Sequence, residues 1–105
     1  MRNHDFSNLT KSQVEALLEC FDFIANGYAE KSFIEVGGLW VVQMQHIRTS
    51  KVLRIFIHKD HYNIYTNRTL RKKVCCSSDT NRYRLVVNSD TSVGVVRLKA
   101  RAYKM

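Results

Sequence analysis

Apolar and polar residues alternate in short runs from residue 31 to the end of the chain, and short turns separate the runs. Alternation with a period of two is typical of β-strands that have one face in a core. Strands joined by short turns must run antiparallel, because a parallel return needs a crossover of about a dozen residues or more. The segments with this pattern are 31–36, 39–46, 52–58, 62–66, 70–76, 82–88 and 96–102. Because 31–36 is short and the pattern is ambiguous over 67–81, we expect an antiparallel meander of five or six strands.

One amphipathic helix is predicted ahead of the strands, over residues 11–26. Thr10 and Gln13 have the spacing of a capping box, in which each side chain bonds the backbone amide of the other. Asn26 and Gly27 supply the left-handed residue that ends a helix. The apolar stripe has helical spacing and consists of Val14, Leu17, Leu18, Phe21, Ile24 and Ala25. We therefore expect an α+β fold: an N-terminal amphipathic helix packed on one face of the five- or six-stranded antiparallel meander, with a partly closed barrel as the alternative.

The length of 105 residues predicts a single domain spanning 1–105, since only longer chains commonly divide. Apolar residues make up 45% and charged residues 25%, as in ordinary soluble globular proteins. No apolar stretch has the length of a membrane span or of a secretion signal. We therefore expect a protein of the cytoplasm, nucleus or nucleoid that is not secreted and has no membrane partner.

Positive charge is concentrated in the second part of the chain. The 17 Lys and Arg against 9 Asp and Glu give a net charge of +8. Residues 1–45 carry three basic and six acidic side chains, a net −3, whereas residues 46–105 carry fourteen basic and three acidic side chains, a net +11. A segment this basic attracts polyanions, because binding releases their counterions. The charge distribution favours a nucleic acid, or a protein that handles nucleic acids, as the partner.

The alternation also predicts where the cations lie. If the apolar residues face the helix, one set of cations shares the opposite, open face of the sheet. That set is Arg54, Arg82, Arg84, Arg97, Lys99 and Arg101, and Phe56 and Tyr65 fall on the same face. A neighbouring basic cluster comprises Arg68, Arg71, Lys72 and Lys73. A cationic face with aromatic rings suits single-stranded nucleic acid, because cations neutralise phosphates while bases stack on rings for about 1–3 kcal/mol each.

We therefore expect a non-enzymatic binding protein whose sheet face and 68–73 cluster engage nucleic acid or a nucleic-acid-handling machine. The acidic side of the helix is the expected second surface, for a basic protein partner or a homodimer, and comprises Glu15, Glu19 and Asp22. One alternative is a small inhibitor or adaptor, of the kind common in viruses and mobile elements, that acts through protein contacts alone. A second is a metal-independent ribonuclease with His46 and His58 as the acid–base pair: one removes the proton of the 2′-hydroxyl, the other protonates the leaving oxygen, and Arg54 or Lys59 stabilises the phosphorane.

The cysteines and histidines form no metal-binding motif. His58 and His61 are three residues apart across a turn, and the adjacent Cys75 and Cys76 would point to opposite faces of a strand. We expect no metal ion and no cofactor. Three cysteines in a chain without a secretion signal indicate reduced thiols. Cys20 is predicted to be an apolar filler at the border of the helix, whereas nearby cations are expected to lower the pKa of the adjacent pair.

Overall fold

The computed structural model of the chain describes residues 6–92 and 95–105. Within those residues the chain forms one helix and eight strands. The elements in chain order are β1 (Phe6–Leu9), α1 (Lys11–Ala25), β2 (Tyr28–Val36), β3 (Leu39–His46), β4 (Val52–Ile57), β5 (His61–Thr66), β6 (Thr69–Cys75), β7 (Tyr83–Ser92) and β8 (Val95–Lys104).

The strands belong to two antiparallel sheets. β2 to β6 form a five-stranded meander in chain order, and β1, β7 and β8 form a three-stranded sheet in the order β1-β7-β8. The α+β class, the antiparallel pairing and the N-terminal helix are thus confirmed. The prediction that the strands form a single sheet is wrong, and the sheets do not close into a barrel. Alternation shows that β7 and β8 each have a buried face, but it does not show which strands they pair with. The residues that connect β6 to β7 allow the chain to pass from the five-stranded sheet to the three-stranded sheet.

β1 is a strand that the sequence pattern does not reveal, because four residues contain too little alternation. It pairs with β7 through Phe6 and Leu85 and, after a register shift, through Leu9 and Tyr83. Leu9 is buried and packs in one cluster with Val14 of the helix. The residue just before the helix cap therefore joins the helix to the three-stranded sheet, as in a hydrophobic staple.

α1 begins and ends within one residue of its predicted limits. At its start, the Gln13 amide donates to Thr10 Oγ1 at 3.2 Å and the Thr10 amide donates to Gln13 Oε1 at 2.9 Å, which completes the capping box. At its end, Asn26 caps the helix and Gly27 has a φ of +95°, which favours glycine. A Cβ at Gly27 would lie 2.9 Å from Nε2 of His46, so the position also lacks room for a side chain. No helix formed by the described residues is long and apolar enough to span a membrane.

The predicted apolar stripe of α1 faces the three-stranded sheet except for Ala25, which is exposed. Val14, Leu17 and Phe21 are buried in one cluster with Leu9 and Leu85. The helix also packs against the five-stranded sheet, and it uses a different side for that contact. The helix therefore lies between the two sheets and is buried on two sides instead of one.

Small side chains bring the helix close to the five-stranded sheet. Ser12, Ala16 and Cys20 are four residues apart, so they form one row along the helix, and each is 0% exposed. The buried sheet residues of this cluster are Val42, Met44, Leu53, Ile55, Ile57, Tyr62 and Ile64. Ser12 Oγ lies 2.5 Å from the carbonyl oxygen of His58 and 3.0 Å from that of His61, which ties the start of the helix to the β4–β5 turn. Cys20 is the apolar filler predicted from the sequence, and burial raises its thiol pKa to about 12.

Replacing Ala16 by Leu should destabilise the fold, because the added carbon atoms have no space between the helix and the five-stranded sheet. Overpacking a filled core typically costs about 1–3 kcal/mol, so the midpoint of urea unfolding should fall. Ala25→Leu is the matched control, since Ala25 is exposed in the last turn of the same helix. The control should change the free energy of unfolding by less than about 0.5 kcal/mol. Equal effects of the two substitutions would contradict the close packing at Ala16.

Candidate nucleic-acid interface

The predicted cations do not lie on one plane. Arg54 belongs to the five-stranded sheet, whereas Arg84 and Arg101 belong to the three-stranded sheet. Because α1 lies between the sheets and contacts each with a different side, the faces turned away from the helix point in different directions. The prediction of a single cationic face is therefore wrong, since strand parity orders side chains only within one sheet.

On the five-stranded sheet, the face turned away from the helix is mainly apolar. Arg54 is in register with Tyr65, and the rings of Phe56 and Tyr65 meet edge to face with centroids 5.4 Å apart. These three residues share this face, as the sequence predicts. Ile34 and Val36 are 51% and 64% exposed on the same sheet. Cations are thus a minority on this surface.

The outer face of the three-stranded sheet carries cations together with an aromatic ring. Arg84 is in register with Tyr103, and Val86 is in register with Arg101. Both arginines are exposed, and Tyr103 is 49% exposed. The sequence pattern misses Tyr103, because the alternation of the last strand is clear only as far as Ala102. This face therefore combines cations with an aromatic ring, as the sequence predicts for the open face of a single sheet.

Three more of the predicted cations belong to this sheet or adjoin it. Arg97 and Lys99 pair in register with residues of β7, but their side chains lie outside the described part of the structure. Arg82 is exposed next to β7, where its carbonyl oxygen accepts a hydrogen bond from the Met105 amide at 2.8 Å. Arg82 therefore lies at the end of the sheet.

The 68–73 cluster is divided by the β5–β6 hairpin. Asn67 and Arg68 have φ values of 48° and 64° and form the two-residue turn at the tip. Lys72 faces the helix, where its Nζ donates to Glu19 Oε1 at 2.8 Å. Lys73 is in register with Asn63 of β5 and points to the opposite face of the sheet. The four cations therefore do not form one continuous cluster, since Lys72 lies on the helix side, where it is paired with Glu19.

Three cations from two turns and one from the adjoining strand β6 meet at one end of the five-stranded sheet, which we call the basic end. Alternate turns of a meander lie at the same end, so the β3–β4 and β5–β6 turns are neighbours. The basic end consists of Arg48, Lys51, Arg68 and Arg71, all of which are exposed. The ion pairs formed among the described residues involve other cations. Sequence reasoning identifies Arg68 and Arg71 but misses Arg48 and Lys51, which the order of turns in a meander could have located.

A cleft of about 270 Å³ lies at the basic end. Its lining is Tyr28, Lys51, Val52, Thr66, Asn67 and Arg71. The Nε of Arg71 donates to Thr66 Oγ1 at 2.6 Å, which fixes the plane of the guanidinium. The rings of Phe23 and His46 contact the ring of Tyr28 edge-on, with centroids 5.4 and 4.9 Å away. The cleft thus combines two cations with an aromatic wall.

The acidic residues of the helix do not form an open stripe. Glu19 is paired with β6, as described above, and Glu15 Oε1 lies 3.5 Å from Nζ of Lys11. The Sγ of Cys76 donates to the other oxygen of Glu15 at 3.5 Å. Asp22 is exposed. The predicted acidic surface therefore reduces to Asp22, since Glu15 and Glu19 have partners within the protein.

The two histidines of the ribonuclease hypothesis are far apart. His46 ends β3 and His58 follows β4, so they lie at opposite ends of that hairpin, roughly 20 Å from each other. His46 accepts hydrogen bonds at Nδ1 from two amides of the following turn and donates from Nε2 to the Asn26 carbonyl at 3.1 Å. His58 stacks on His61 with ring centroids 4.1 Å apart, and burial lowers the pKa of His58. His46 and His58 are therefore too far apart to act on one phosphate. The described residues also contain no group of three or more His, Cys, Asp or Glu that could hold a metal ion.

The thiol of Cys76 has an environment opposite to the predicted one. Burial, reinforced by the Glu15 carboxylate, raises the pKa of Cys76 to about 11. The prediction of a lowered pKa is wrong for this residue, because the group in contact with the thiol is a carboxylate and not one of the β6 cations.

In a Cys75→Ser variant, Cys76 should therefore react with iodoacetamide at pH 8 at least about tenfold more slowly than a free thiol. Glu15→Gln should speed the reaction, because removing the carboxylate charge lowers the thiol pKa. Glu35→Gln, at an exposed position of β2, is the matched control and should have no effect. Alkylation is followed by mass spectrometry from pH 7 to 10. A thiol as reactive as glutathione, or one indifferent to Glu15→Gln, would contradict the contact.

No protein-family model, curated protein or solved structure that was compared with this chain matches it. The basic end is therefore interpreted from its own geometry and charge.

Proposed function

We propose that this protein binds nucleic acid without acting on it chemically, and that the basic end contacts the phosphates. The observation that carries the proposal is the convergence of four exposed cations, from two turns and the start of β6, at one end of the five-stranded sheet. Within the described residues, the ion pairs do not include these four side chains. Their charge is available to a polyanion, whose binding releases counterions.

The spacing of the two turns suits a row of phosphates better than a single anion. The turns are separated by two strand spacings, roughly 10 Å, so the cations can neutralise several phosphates of one strand. The net charge of +11 over residues 46–105 adds long-range attraction that speeds association.

The outer face of the three-stranded sheet is the second proposed contact. Arg84 and Arg101 are exposed there, and Tyr103 offers a ring on which a base can stack for about 1–3 kcal/mol. Because this face belongs to the other sheet, it would contact a different stretch of nucleic acid from the basic end.

The alternative of a protein-binding inhibitor or adaptor is favoured by another surface, the apolar outer face of the five-stranded sheet. Exposed apolar side chains such as Ile34 and Val36 often mark contacts with other proteins. An apolar contact responds little to salt, whereas binding to phosphates weakens steeply with salt. One titration therefore separates the two functions.

Binding to a fluorescent single strand and to a duplex should weaken steeply as salt rises from about 50 to 200 mM. Four phosphate contacts predict a slope of log K against log salt of about −3 for the single strand and about −3.6 for the duplex. Fluorescence anisotropy measures both slopes. No binding at low salt, or an affinity that salt leaves unchanged, would favour the adaptor.

The double variant Lys51→Glu, Arg68→Glu should lose at least about tenfold in affinity and flatten the salt slope by about two. Lys31→Glu, Lys59→Glu is the matched control, because it changes the net charge equally at exposed cations of β2 and the β4–β5 turn. The control should keep most of the affinity. Equal losses would show that net charge, and not the basic end, governs binding. Thermal melts of both variants check that the fold is intact.

A further inference from the structure

We infer that the cleft at the basic end binds the terminal phosphate of a nucleotide, a phosphate monoester, together with the ring next to it. The inference deepens the proposed function and rests on it, since it names the phosphorylated end of a strand as the part that enters the cleft. The volume of about 270 Å³ is close to the lower limit of the range of about 300–1,000 Å³ that is typical of ligand pockets. The cleft therefore has room for about one nucleotide and not for a length of strand.

Arg71 is oriented before any ligand binds. The register shift between Ile64 and Tyr65 leaves Arg71 as the extra residue of β6, and such a bulge redirects a side chain. Its Nε donates to Thr66 Oγ1 at 2.6 Å, while no hydrogen bond among the described residues uses its two terminal nitrogens. Two coplanar donors on a fixed guanidinium match two oxygens of a phosphate.

The charge of the cleft favours a monoester over a phosphate within a strand. Lys51 brings a second cation to the lining beside Arg71. An internal phosphodiester carries one negative charge, whereas a monoester carries about −1.5 to −2 at pH 7, because its second pKa is near 6. Two cations facing one group therefore gain more from the terminal phosphate.

The remaining wall of the cleft would be unused by a bare phosphate. Tyr28 and Val52 line it, and Tyr28 is held by edge contacts with the rings of Phe23 and His46. His46 is itself fixed by its hydrogen bonds to Asn26 and to the β3–β4 turn. A fixed aromatic ring suits a base or sugar, since bases of any sequence stack on such rings. The matched ligand is thus a nucleotide and not inorganic phosphate.

Strand ends provide the first test. Single strands of about 12 nucleotides and equal sequence, with a 5′-phosphate, a 3′-phosphate or neither, compete against a labelled strand. We expect one of the phosphorylated strands to bind at least about fivefold more tightly at pH 7.5, and the preference to shrink below about pH 6 as the monoester gains a proton. Equal affinity of all three strands overturns the inference.

Conservative variants test whether the preference for a phosphorylated strand end depends on Arg71. Arg71→Lys keeps the charge but removes the paired donors, so the ratio of the affinities for the phosphorylated and unphosphorylated strands should fall to about one, whatever loss the two affinities share. Arg68→Lys makes the same change at a residue of the turn that does not line the cleft, and the preference should remain. A preference that survives Arg71→Lys overturns the assignment. Urea unfolding confirms that both variants are folded.

Free ligands distinguish the inference from the proposed function. Adenosine 5′-monophosphate, adenosine and inorganic phosphate are titrated separately into labelled protein and followed by NMR shifts of the cleft residues. Tightest binding of the monophosphate supports the inference, and inorganic phosphate binding equally well overturns the role of Tyr28. If the monophosphate binds but no strand does, the proposed function fails and the ligand is a free nucleotide. If strands bind irrespective of their ends and the monophosphate does not, the proposed function stands and the inference fails.

Discussion

The row of small side chains along α1 is the contact on which the rest of the structure depends. Ser12, Ala16 and Cys20 let the helix lie close on the five-stranded sheet, while larger apolar side chains on another side cover the three-stranded sheet. A helix with two buried sides must pack against two partners, because a single sheet would cover one side and leave the other exposed to water. The division into two sheets then decides where the charges lie, because cations on different sheets cannot share a face.

Three of the four exposed cations at the basic end lie in turns and not on a face of the sheet. On the five-stranded sheet, a cation on the helix side lies near the acidic residues of the helix, as Lys72 does near Glu19, and the opposite face is largely apolar. The side chains of turn residues instead project into water. Antiparallel geometry then places two basic turns at one end, so Arg48 and Arg68, distant in the sequence, contribute to the same surface.

Local features of the fold could be predicted from the sequence, and contacts between distant segments could not. The limits of α1 follow from capping chemistry that acts within a few residues, and β3 occupies its predicted range because its alternation is regular. The pairing of β7 with β1 depends on contacts such as that of Leu85 with the helix, which periodicity does not encode. The same holds for the basic end. Arg68 and Arg71 could be predicted because they belong to a run of cations in the sequence, whereas Arg48 and Lys51 lie near them only because of the order of the strands.

Like charges concentrated at one end oppose folding, so the basic end calls for a physical reason. Exposed cations at short range repel one another by up to about 1 kcal/mol per pair in water. The chain has 9 acidic residues, but those in described ion pairs, Glu15, Glu19 and Asp60, serve other partners. One acidic residue in either turn would relieve the repulsion, and neither turn has one. A bound polyanion would remove it instead and would stabilise the folded state by mass action, which makes the unrelieved charge itself a reason to interpret this end as a binding surface.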